Sequence, residues 1–216
     1  FWGLAVNDVR RGFMPLDYWL ARGTANALYR SGFGGLDVKT QVTTEDGRAI
    51  ECVVAIPLDP VTEEDTKRVI ADYVKSAVGS DCRVIVNGTG RYVKHGPIGD
   101  CGTTGRKLVA DFYGGNSKIG GGSPWGKDPS KADVTLNVLA RMKALEYLKA
   151  HGLDEVRCGI SCCIGRSEIR VSYFDAADNL LETHTESDPP SHVIETLGLR
   201  IPGYAARCME GLFGHE

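Results

Sequence analysis

The sequence has no apolar stretch long enough to cross a bilayer. Its longest apolar runs, such as Cys52–Pro57, fall far short of the roughly 20 residues that a membrane-spanning helix needs. The chain has 216 residues, of which 42% are hydrophobic and 25% charged. This composition excludes a disordered chain, a collagen and a coiled coil, and it predicts a soluble protein with one large domain or two small ones. A membrane is therefore not an expected partner.

The sequence also lacks an excess of positive charge. Its net charge is −3, and it has no basic tail and no stripe of basic and aromatic residues. Proteins that bind duplex nucleic acid usually carry a basic face large enough to make the whole domain basic. Nucleic acid is therefore not an expected partner.

The seven cysteines lack the spacing of a metal site. No CxxC pair occurs, and the adjacent Cys162 and Cys163 would point to opposite faces of a strand. An odd number of cysteines without a leader sequence favours reduced thiols and a cytoplasmic location.

Glycine is the one residue in clear excess. The chain has 27 glycines in 216 residues, against about 7% in average proteins, and twelve of them lie between Val86 and Lys131. The same window holds seven basic and three acidic residues, a local surplus of four positive charges in an acidic chain. Bare backbone amides beside cations predict a binding site for an anion smaller than a nucleic acid.

The pattern of apolar residues predicts an α+β protein with two similar halves divided near Lys94, each with a sheet covered by helices on one side. The hairpin signal Glu45-Asp46-Gly47 separates two strands of the first half. Helices are expected at 15–30, 62–78, 129–151, 190–197 and 204–212, and strands at 38–44, 48–56, 83–86, 107–113, 155–164 and 168–174.

The segment Gly121–Asp128, GGSPWGKD, satisfies the G-x-x-x-x-G-K part of a P-loop but lacks the Ser or Thr that would hold Mg²⁺. Five residues precede it where a strand should lead in, and Pro129 delays the helix that should start at Lys127. A P-loop is therefore not favoured over a plain glycine-rich loop with a surface lysine.

The charges and the backbone amides of this segment still indicate a phosphate-binding site. Lys127 comes just before a predicted helix, and Lys131 and Asp133 lie in its first turns, so cations and a helix N-terminus can act on one anion. A carboxylate beside a phosphate chain is a plausible Mg²⁺ ligand, which makes Asp133 a candidate. Lys94 and Lys118 are interpreted as solvated surface charges.

Two further groups could bind phosphate. Arg106 and Lys107 offer a forked and a point-charge partner at the end of the glycine-rich segment Gly96–Lys107. Asp37 and Lys39 share one face of a strand, where a salt bridge within the hairpin is the alternative interpretation. Asp100 lies between glycines and could instead cap a tight loop.

Five motifs taken together closely resemble S-adenosylmethionine synthetases, also called methionine adenosyltransferases. They are, in chain order, NGTGRY (Asn87–Tyr92), GPIGDCGTTGRK (Gly96–Lys107), DFYGG (Asp111–Gly115), GGGSPWGKDPSKAD (Gly120–Asp133) and SCCIG (Ser161–Gly165). FWGLAVND, MPLDYWLA and DVKTQVT also resemble the start of the central domain of that family. The resemblance covers essentially the whole chain and implies a central-type domain at 1–94 and a C-terminal-type domain at 95–216.

The resemblance implies an enzyme that joins ATP to L-methionine. The methionine sulfur attacks the ribose C5′, tripolyphosphate leaves, and the enzyme hydrolyses it to phosphate and pyrophosphate. Mg²⁺ and K⁺ are the implied cofactors. Active sites shared between subunits imply a homodimer or a higher homo-oligomer. Such a displacement requires positioning and charge stabilisation rather than a protein nucleophile, and the sequence offers no candidate nucleophile.

The resemblance also assigns roles to individual residues. Asp100 would contact adenosine and methionine, Lys131 methionine or the phosphates, and Ile164 the adenine. Asp133 matches a magnesium position and the backbone carbonyl of Cys101 a potassium position. The implied catalytic residues are Lys39, Arg106, Lys107, Lys127 and Lys131. The implied ATP-binding residues are Asp37, Val38, Lys39, Arg91, Tyr92, Asp100, Arg106, Lys107, Ser123 and Lys127.

The chain departs from the family pattern in several places. Ser123-Pro124-Trp125 replaces the usual Ala-Phe-Ser, Tyr92 replaces phenylalanine, and Val134 replaces arginine, which indicates a divergent member. The N-terminal domain of the family has no counterpart in these 216 residues. We therefore expect either a larger protein or a separate N-terminal piece, and the activity of this chain alone stays open.

Two alternatives predict different chemistry. A non-catalytic nucleotide-binding or regulatory subunit of a synthetase assembly would not depend on the phosphate-binding lysines for turnover. An unrelated P-loop NTPase would hydrolyse ATP without methionine.

Overall fold

The computed structural model describes residues 1–33, 37–58, 62–91 and 93–215. Seven strands and six α-helices occur in these ranges. The strands are β1 (Trp2–Val6), β2 (Lys39–Glu45), β3 (Arg48–Ala55), β4 (Arg83–Val86), β5 (Glu155–Cys162), β6 (Glu168–Phe174) and β7 (Leu180–Ser187). The helices are α1 (Leu16–Arg30), α2 (Glu63–Val78), α3 (Leu108–Phe112), α4 (Ala132–His151), α5 (Pro190–Thr196) and α6 (Tyr204–Glu210).

The chain divides into two compact units. Unit 1 consists of Phe1–Pro15 and Thr103–Glu216, and unit 2 of Leu16–Gly102. Each unit has one sheet with helices packed against it, so the predicted α+β class is confirmed. Unit 1 draws on both ends of the chain because β1 pairs with β5. The assignment of 1–94 and 95–216 to a central-type and a C-terminal-type domain stays a prediction.

Unit 2 contains a three-stranded sheet in the order β2-β3-β4. The antiparallel hairpin β2-β3 turns at Asp46 and Gly47, whose φ angles of 47° and 74° fit a tight two-residue turn. α2 then crosses over to β4, which pairs parallel to β3. The side chain of Thr62 caps α2 by accepting from the Asp65 amide, as the sequence predicts. Gly79 ends this helix in the left-handed conformation.

Unit 1 contains a four-stranded antiparallel sheet in the order β1-β5-β6-β7, with α4 packed against it. α4 approaches β1 so closely that a Cβ on Gly3 would lie 2.1 Å from the backbone carbonyl of Ala140. The fully buried guanidinium of Arg141 fills this junction. It donates hydrogen bonds to the carbonyl oxygens of Leu4, Gly12 and Phe13. The N-terminal segment is thereby held against α4.

Three sequence-based expectations about secondary structure need correction. The strand predicted at 107–113 is the short helix α3, because Leu108 and Phe112 lie one turn apart and the Asp111 amide donates to the Lys107 carbonyl. α4 begins at Ala132 rather than Pro129, and Lys131 is its N-cap residue. β1 and β7 are strands that the sequence analysis did not predict.

No helix in the part of the chain that the structure describes is both long and apolar enough to span a membrane.

Candidate nucleotide and phosphate site

The predicted site residues fall into two groups, one in each unit. In unit 2, the ammonium group of Lys39 lies 2.9 Å from Asp100 Oδ2 and 3.6 Å from Asp37 Oδ1. Asp37 also accepts a hydrogen bond from the Gly96 amide at 3.3 Å. The start of β2 and the glycine-rich loop thus bring three predicted residues together. The Lys39 ammonium lies between the carboxylates of Asp37 and Asp100.

The remaining predicted residues of unit 2 are less closely tied to this group. Arg91 and Cys101 are exposed, and Val38 is half-buried. The thiol of Cys101 donates to the Pro97 carbonyl at 2.9 Å. Tyr92 lies outside the described residues.

The loop that carries Arg91 begins at Asn87, whose side chain is held by two hydrogen bonds. The Asn87 side chain accepts a hydrogen bond from the Ile56 amide at 2.9 Å and donates one to the Ile56 carbonyl at 2.8 Å. Asn87 has a φ of 48°, a left-handed conformation that asparagine tolerates better than most residues. The first residue of NGTGRY is therefore structural, and it fixes where the glycine-rich segment leaves β4.

In unit 1, Lys127 and Asp133 form the tightest contact of the predicted site. Lys127 Nζ lies 2.5 Å from Asp133 Oδ2, and the Gly122 amide donates to Asp133 Oδ1 at 2.7 Å. The hydrogen bond from Lys127 and the one from Gly122 hold the pKa of Asp133 below its ordinary value. The loop Gly120–Lys127 is thus closed onto the first turn of α4 by one carboxylate.

Gly121 is required where the loop closes, and the space beside Gly122 is tight. A Cβ on Gly121 would lie 2.5 Å from the Phe1 ring, and Gly121 has a φ of 79°. A Cβ on Gly122 would come within 3.2 Å of Lys127 Nζ. Part of the glycine excess therefore has a steric cause at this loop.

The other predicted cations of unit 1 are at the surface. Arg106 and Lys107 are exposed and stand directly before α3. Lys131 contacts Asp128 at 3.6 Å and the Ser130 hydroxyl at 2.9 Å. Exposed ammonium and guanidinium groups can exchange such partners for phosphate oxygens at low cost.

The donor set around Asp133 has the chemistry that magnesium requires. Mg²⁺ binds one or two carboxylates and completes its shell with phosphate oxygens and water. The lowered pKa of Asp133 favours its ionised form, and its Oδ2 contacts the ammonium of Lys127, which can move to a phosphate. Among the described residues, no cluster of three or more acidic, histidine or cysteine side chains could hold a metal by itself. A magnesium ion here would therefore need the phosphates of a ligand.

A cavity of about 200 Å³ in unit 1 adjoins this group. Pro129 and Ser130, beside Lys131, form one wall, and Ile164 on the turn between β5 and β6 forms another. Ile164 is 82% exposed, which leaves its side chain available to a ligand. The remaining lining is largely apolar and comes from α4, from other residues on and beside the turn between β5 and β6, and from Asp188 and the start of α5.

One close approach in this region was missed by the sequence analysis. Gly105 lies so near Ser123 that a Cβ there would be 3.1 Å from Ser123 Cβ. The spacing of these residues along the chain does not indicate this approach.

The chain thus combines a mixed α+β fold of two sheets with a glycine-rich loop that is closed by contacts of Lys127 and Gly122 with Asp133. A family model described as the C-terminal domain of S-adenosylmethionine synthetase matches residues 94–216. The chain belongs to the S-adenosylmethionine synthetase family.

Individual relatives agree with this assignment. The S-adenosylmethionine synthase of Brachyspira hyodysenteriae is 34% identical over 242 residues, covering 99% of this chain and 61% of the relative. That of Oleidesulfovibrio alaskensis is 33% identical, covering 83% of this chain and 52% of the relative. A solved structure described as an unusual S-adenosylmethionine synthetase from Campylobacter jejuni superposes with a TM-score of 0.83 at 25% identity. It is matched over 99% of this chain and 65% of its own. The chain thus spans between about half and two thirds of these proteins.

Proposed function

We propose that this chain contributes to the synthesis of S-adenosylmethionine from ATP and L-methionine. The observation that carries the proposal is the Lys127–Asp133–Gly122 arrangement, which combines a cation, a carboxylate and a backbone amide at the start of a long helix. The chain's relatives carry the name of this activity.

In unit 1, Lys127, Lys131, Arg106 and Lys107 would bind the triphosphate and stabilise the tripolyphosphate as it leaves. Charge accumulates on the leaving group in this displacement, so fixed cations that become desolvated by the ligand favour the transition state. Ser123, beside Gly105, would contribute to the same lining of the loop. A magnesium ion held by Asp133 would neutralise phosphate charge when bound.

Binding of the adenosine and methionine moieties depends less on charged groups and more on a complementary surface. Ile164 and the cavity below it would offer an apolar surface to the adenine, in keeping with the 82% exposure of that side chain. In unit 2, Asp37, Val38, Lys39, Arg91, Tyr92 and Asp100 would contact ATP, with Asp100 also contacting methionine. Potassium at the Cys101 carbonyl rests on the family resemblance alone. We further propose a cytoplasmic protein that assembles as a homodimer or a higher homo-oligomer.

The proposal requires the lysines to leave their carboxylate partners when a triphosphate binds. Lys39, Lys127 and Lys131 each contact a carboxylate, at 2.9, 2.5 and 3.6 Å respectively. Binding a triphosphate would exchange these contacts for phosphate oxygens. Exposed ion pairs contribute only about 0 to 1 kcal/mol, so the exchange is energetically accessible.

Calorimetric titration of the chain with tripolyphosphate, with and without Mg²⁺, tests the proposal. Lys127→Ala should weaken binding at least about tenfold, because a charge-assisted contact is lost. Lys118→Ala is the matched control, since Lys118 lies in the same glycine-rich window and is paired with Asp178 at 3.3 Å. Equal binding by wild type and Lys127→Ala would contradict the assigned role. It would favour a subunit that does not use these lysines.

A further inference from the structure

Two aromatic residues at the start of β1 have no role assigned by the family resemblance. Phe1 lies opposite Ile160 of β5. The Phe1 nitrogen donates to the Ile160 carbonyl oxygen at 2.9 Å, and the Ile160 amide donates to the Phe1 carbonyl oxygen at 2.9 Å. Trp2 pairs with Gly159 in the same ladder. Because successive side chains of a strand point to opposite faces of the sheet, the two rings lie on different faces.

The Phe1 ring lies between the core of unit 1 and the glycine-rich loop. It packs against the buried cluster between the sheet and α4. A Cβ on Gly121 would lie 2.5 Å from Phe1 Cε1 and 3.0 Å from Asp133 Oδ1. The amide of the next residue, Gly122, makes the hydrogen bond to the same carboxylate oxygen. The ring, the bare backbone of the loop and the Asp133 carboxylate therefore meet at one place.

The Trp2 ring supports the preceding residue of the loop. A Cβ on Gly120 would lie 3.0 Å from the Phe1 nitrogen and 3.4 Å from Trp2 Cδ1. On β5, a Cβ on Gly159 would lie 3.1 Å from Cη2 of the indole. The centroid of the Trp2 ring also lies 5.6 Å from that of Phe174. Trp2 thus occupies a space that the absence of a side chain at Gly159 leaves open.

The segment before Gly120 is anchored as well. Arg157 Nε donates to the Asn116 carbonyl oxygen at 3.2 Å, and the Arg157 side chain is only 16% exposed. The Lys118 ammonium lies 4.9 Å from the centroid of the Trp2 ring. Its side chain is 49% exposed, and cation–π contacts at exposed sites contribute only modestly. The rings rather than the lysine are therefore the main support of the loop.

The loop needs such a support because Gly120–Gly122 has no side chains of its own. Glycine loses more conformational freedom on folding than any other residue, so the order of this segment depends on its surroundings. Apart from chain neighbours, the atoms nearest to these three glycines belong to Phe1, Trp2, Asp133 and Lys127. The two rings and the two charged groups thus contact the same short stretch of bare backbone.

We propose that Phe1 and Trp2 form an aromatic platform, which fixes the path of Gly120–Gly122 and thereby positions the Asp133 carboxylate and the Lys127 ammonium for a triphosphate. The proposal rests on the proposed function. Neither ring need touch the ligand, so both residues are positioning residues. A loop that is already ordered favours binding, because the ligand does not have to order it.

Two variants disturb the platform from different sides. Phe1→Ala deletes the ring beside Gly121, and Gly159→Val fills the space in which the Trp2 ring lies. In calorimetric titration of the full-length protein, each should weaken tripolyphosphate binding about tenfold, without Mg²⁺ as well as with it, because the ligand must then order the loop. Phe1→Leu keeps apolar bulk in the core and should lose less affinity.

Two control variants accompany these measurements. Tyr73→Ala is matched to Phe1→Ala, because Tyr73 is also a partly buried ring packed against a core, that of unit 2. Lys118→Ala removes the cation beside Trp2 and keeps both rings. Both controls should bind tripolyphosphate as wild type does. Circular dichroism checks that each variant is folded, and Phe1→Leu takes the place of Phe1→Ala under the same criteria if the latter does not fold.

Hydrogen exchange separates positioning from a merely structural role without any ligand. In wild type the Gly122 amide is hydrogen-bonded to Asp133 and should exchange slowly. In Phe1→Ala and Gly159→Val, mass spectrometry should show about tenfold faster exchange in the peptide that contains residues 120–127, while β6 stays protected. Tyr73→Ala should leave the exchange of this peptide unchanged.

The outcomes distinguish the two proposals. If wild type binds tripolyphosphate, and Phe1→Ala and Gly159→Val bind it equally well or keep a slowly exchanging loop, the platform proposal is wrong while the proposed function stands. If wild type itself does not bind tripolyphosphate, the proposed function is wrong and the platform proposal is overturned with it.

Discussion

Lys127 Nζ lies 2.5 Å from Asp133 Oδ2, so that a predicted phosphate ligand and a predicted magnesium ligand are each other's partner. The contact makes the two roles separable, because removing one side chain leaves the other with a measurable change in its properties.

Loss of the Asp133 carboxylate should act mainly on magnesium. In the full-length protein, Asp133→Asn should raise the Mg²⁺ concentration for half-maximal S-adenosylmethionine formation by about tenfold or more, because a neutral amide oxygen binds Mg²⁺ more weakly than a carboxylate does. Asp72→Asn, an exposed change on α2, is the control and should leave the magnesium dependence unaltered. An unchanged dependence in Asp133→Asn would show that another group binds the ion.

The pair should also be visible in the pH dependence of stability. Because Lys127 and the Gly122 amide lower the pKa of Asp133, the folded state favours the ionised carboxylate. The resulting stabilisation is fully present above the ordinary aspartate pKa of about 3.9, and it is lost as the pH falls through the lowered value.

Carbon-13 NMR of the Asp133 carboxyl measures this directly. Lys127→Met should raise its pKa toward the ordinary value, and the stability difference between wild type and Lys127→Met should shrink below about pH 4. An Asp133 pKa that is the same in both proteins would mean that the pair does not persist in solution.

Arg141 should be the most sensitive polar residue of unit 1. Arg141→Met removes donors from three carbonyl oxygens, two of them in buried contacts, and we expect a loss of about 3 kcal/mol in the free energy of unfolding by urea. Arg68→Met removes an exposed ion pair on α2 and should cost less than about 1 kcal/mol. Similar losses in the two variants would argue against the buried role.

Five of the seven cysteines should fall into two classes of reactivity toward a thiol reagent at pH 8. Cys101, Cys163 and Cys208 are exposed and should be modified rapidly in the native protein. Cys52 and Cys158 are buried, and burial raises their pKa to about 11 and about 12, so they should react only after unfolding. Peptide mass spectrometry identifies the modified positions. Rapid modification of Cys158 in the folded chain would show that the sheet of unit 1 is open.

Much of the fold could be predicted from local signals. α2 has a capping residue, a periodic apolar face and a terminal glycine, and the structure confirms each of them. The β2-β3 hairpin has Asp46-Gly47, which permits only a few turn types. Elements of this kind can be predicted from their own residues, without knowledge of distant partners.

Other elements depend on partners distant in the chain. β1 is a strand because it pairs with β5, more than 150 residues later, and β7 shows little apolar alternation because much of it is exposed. α3 was predicted as a strand, and Leu108–Phe112 is too short for periodicity to distinguish a helix from a strand. Its packing against Phe213 decides the outcome.

The candidate site was also only partly predictable from the sequence. Motifs indicated which residue types to consider, and the structure brings Lys127 to Asp133 and Lys39 to Asp100. The close approach of Gly105 to Ser123 could not be predicted, because the two residues lie eighteen positions apart and no spacing pattern connects them.

The most direct test of the central claim is the product balance of the full-length protein with ATP, Mg²⁺ and K⁺, measured with and without L-methionine. The account predicts one S-adenosylmethionine, one phosphate and one pyrophosphate for each ATP consumed, and little consumption of ATP when methionine is absent. Hydrolysis of ATP that does not depend on methionine, or the absence of S-adenosylmethionine while the protein binds ATP, would contradict it.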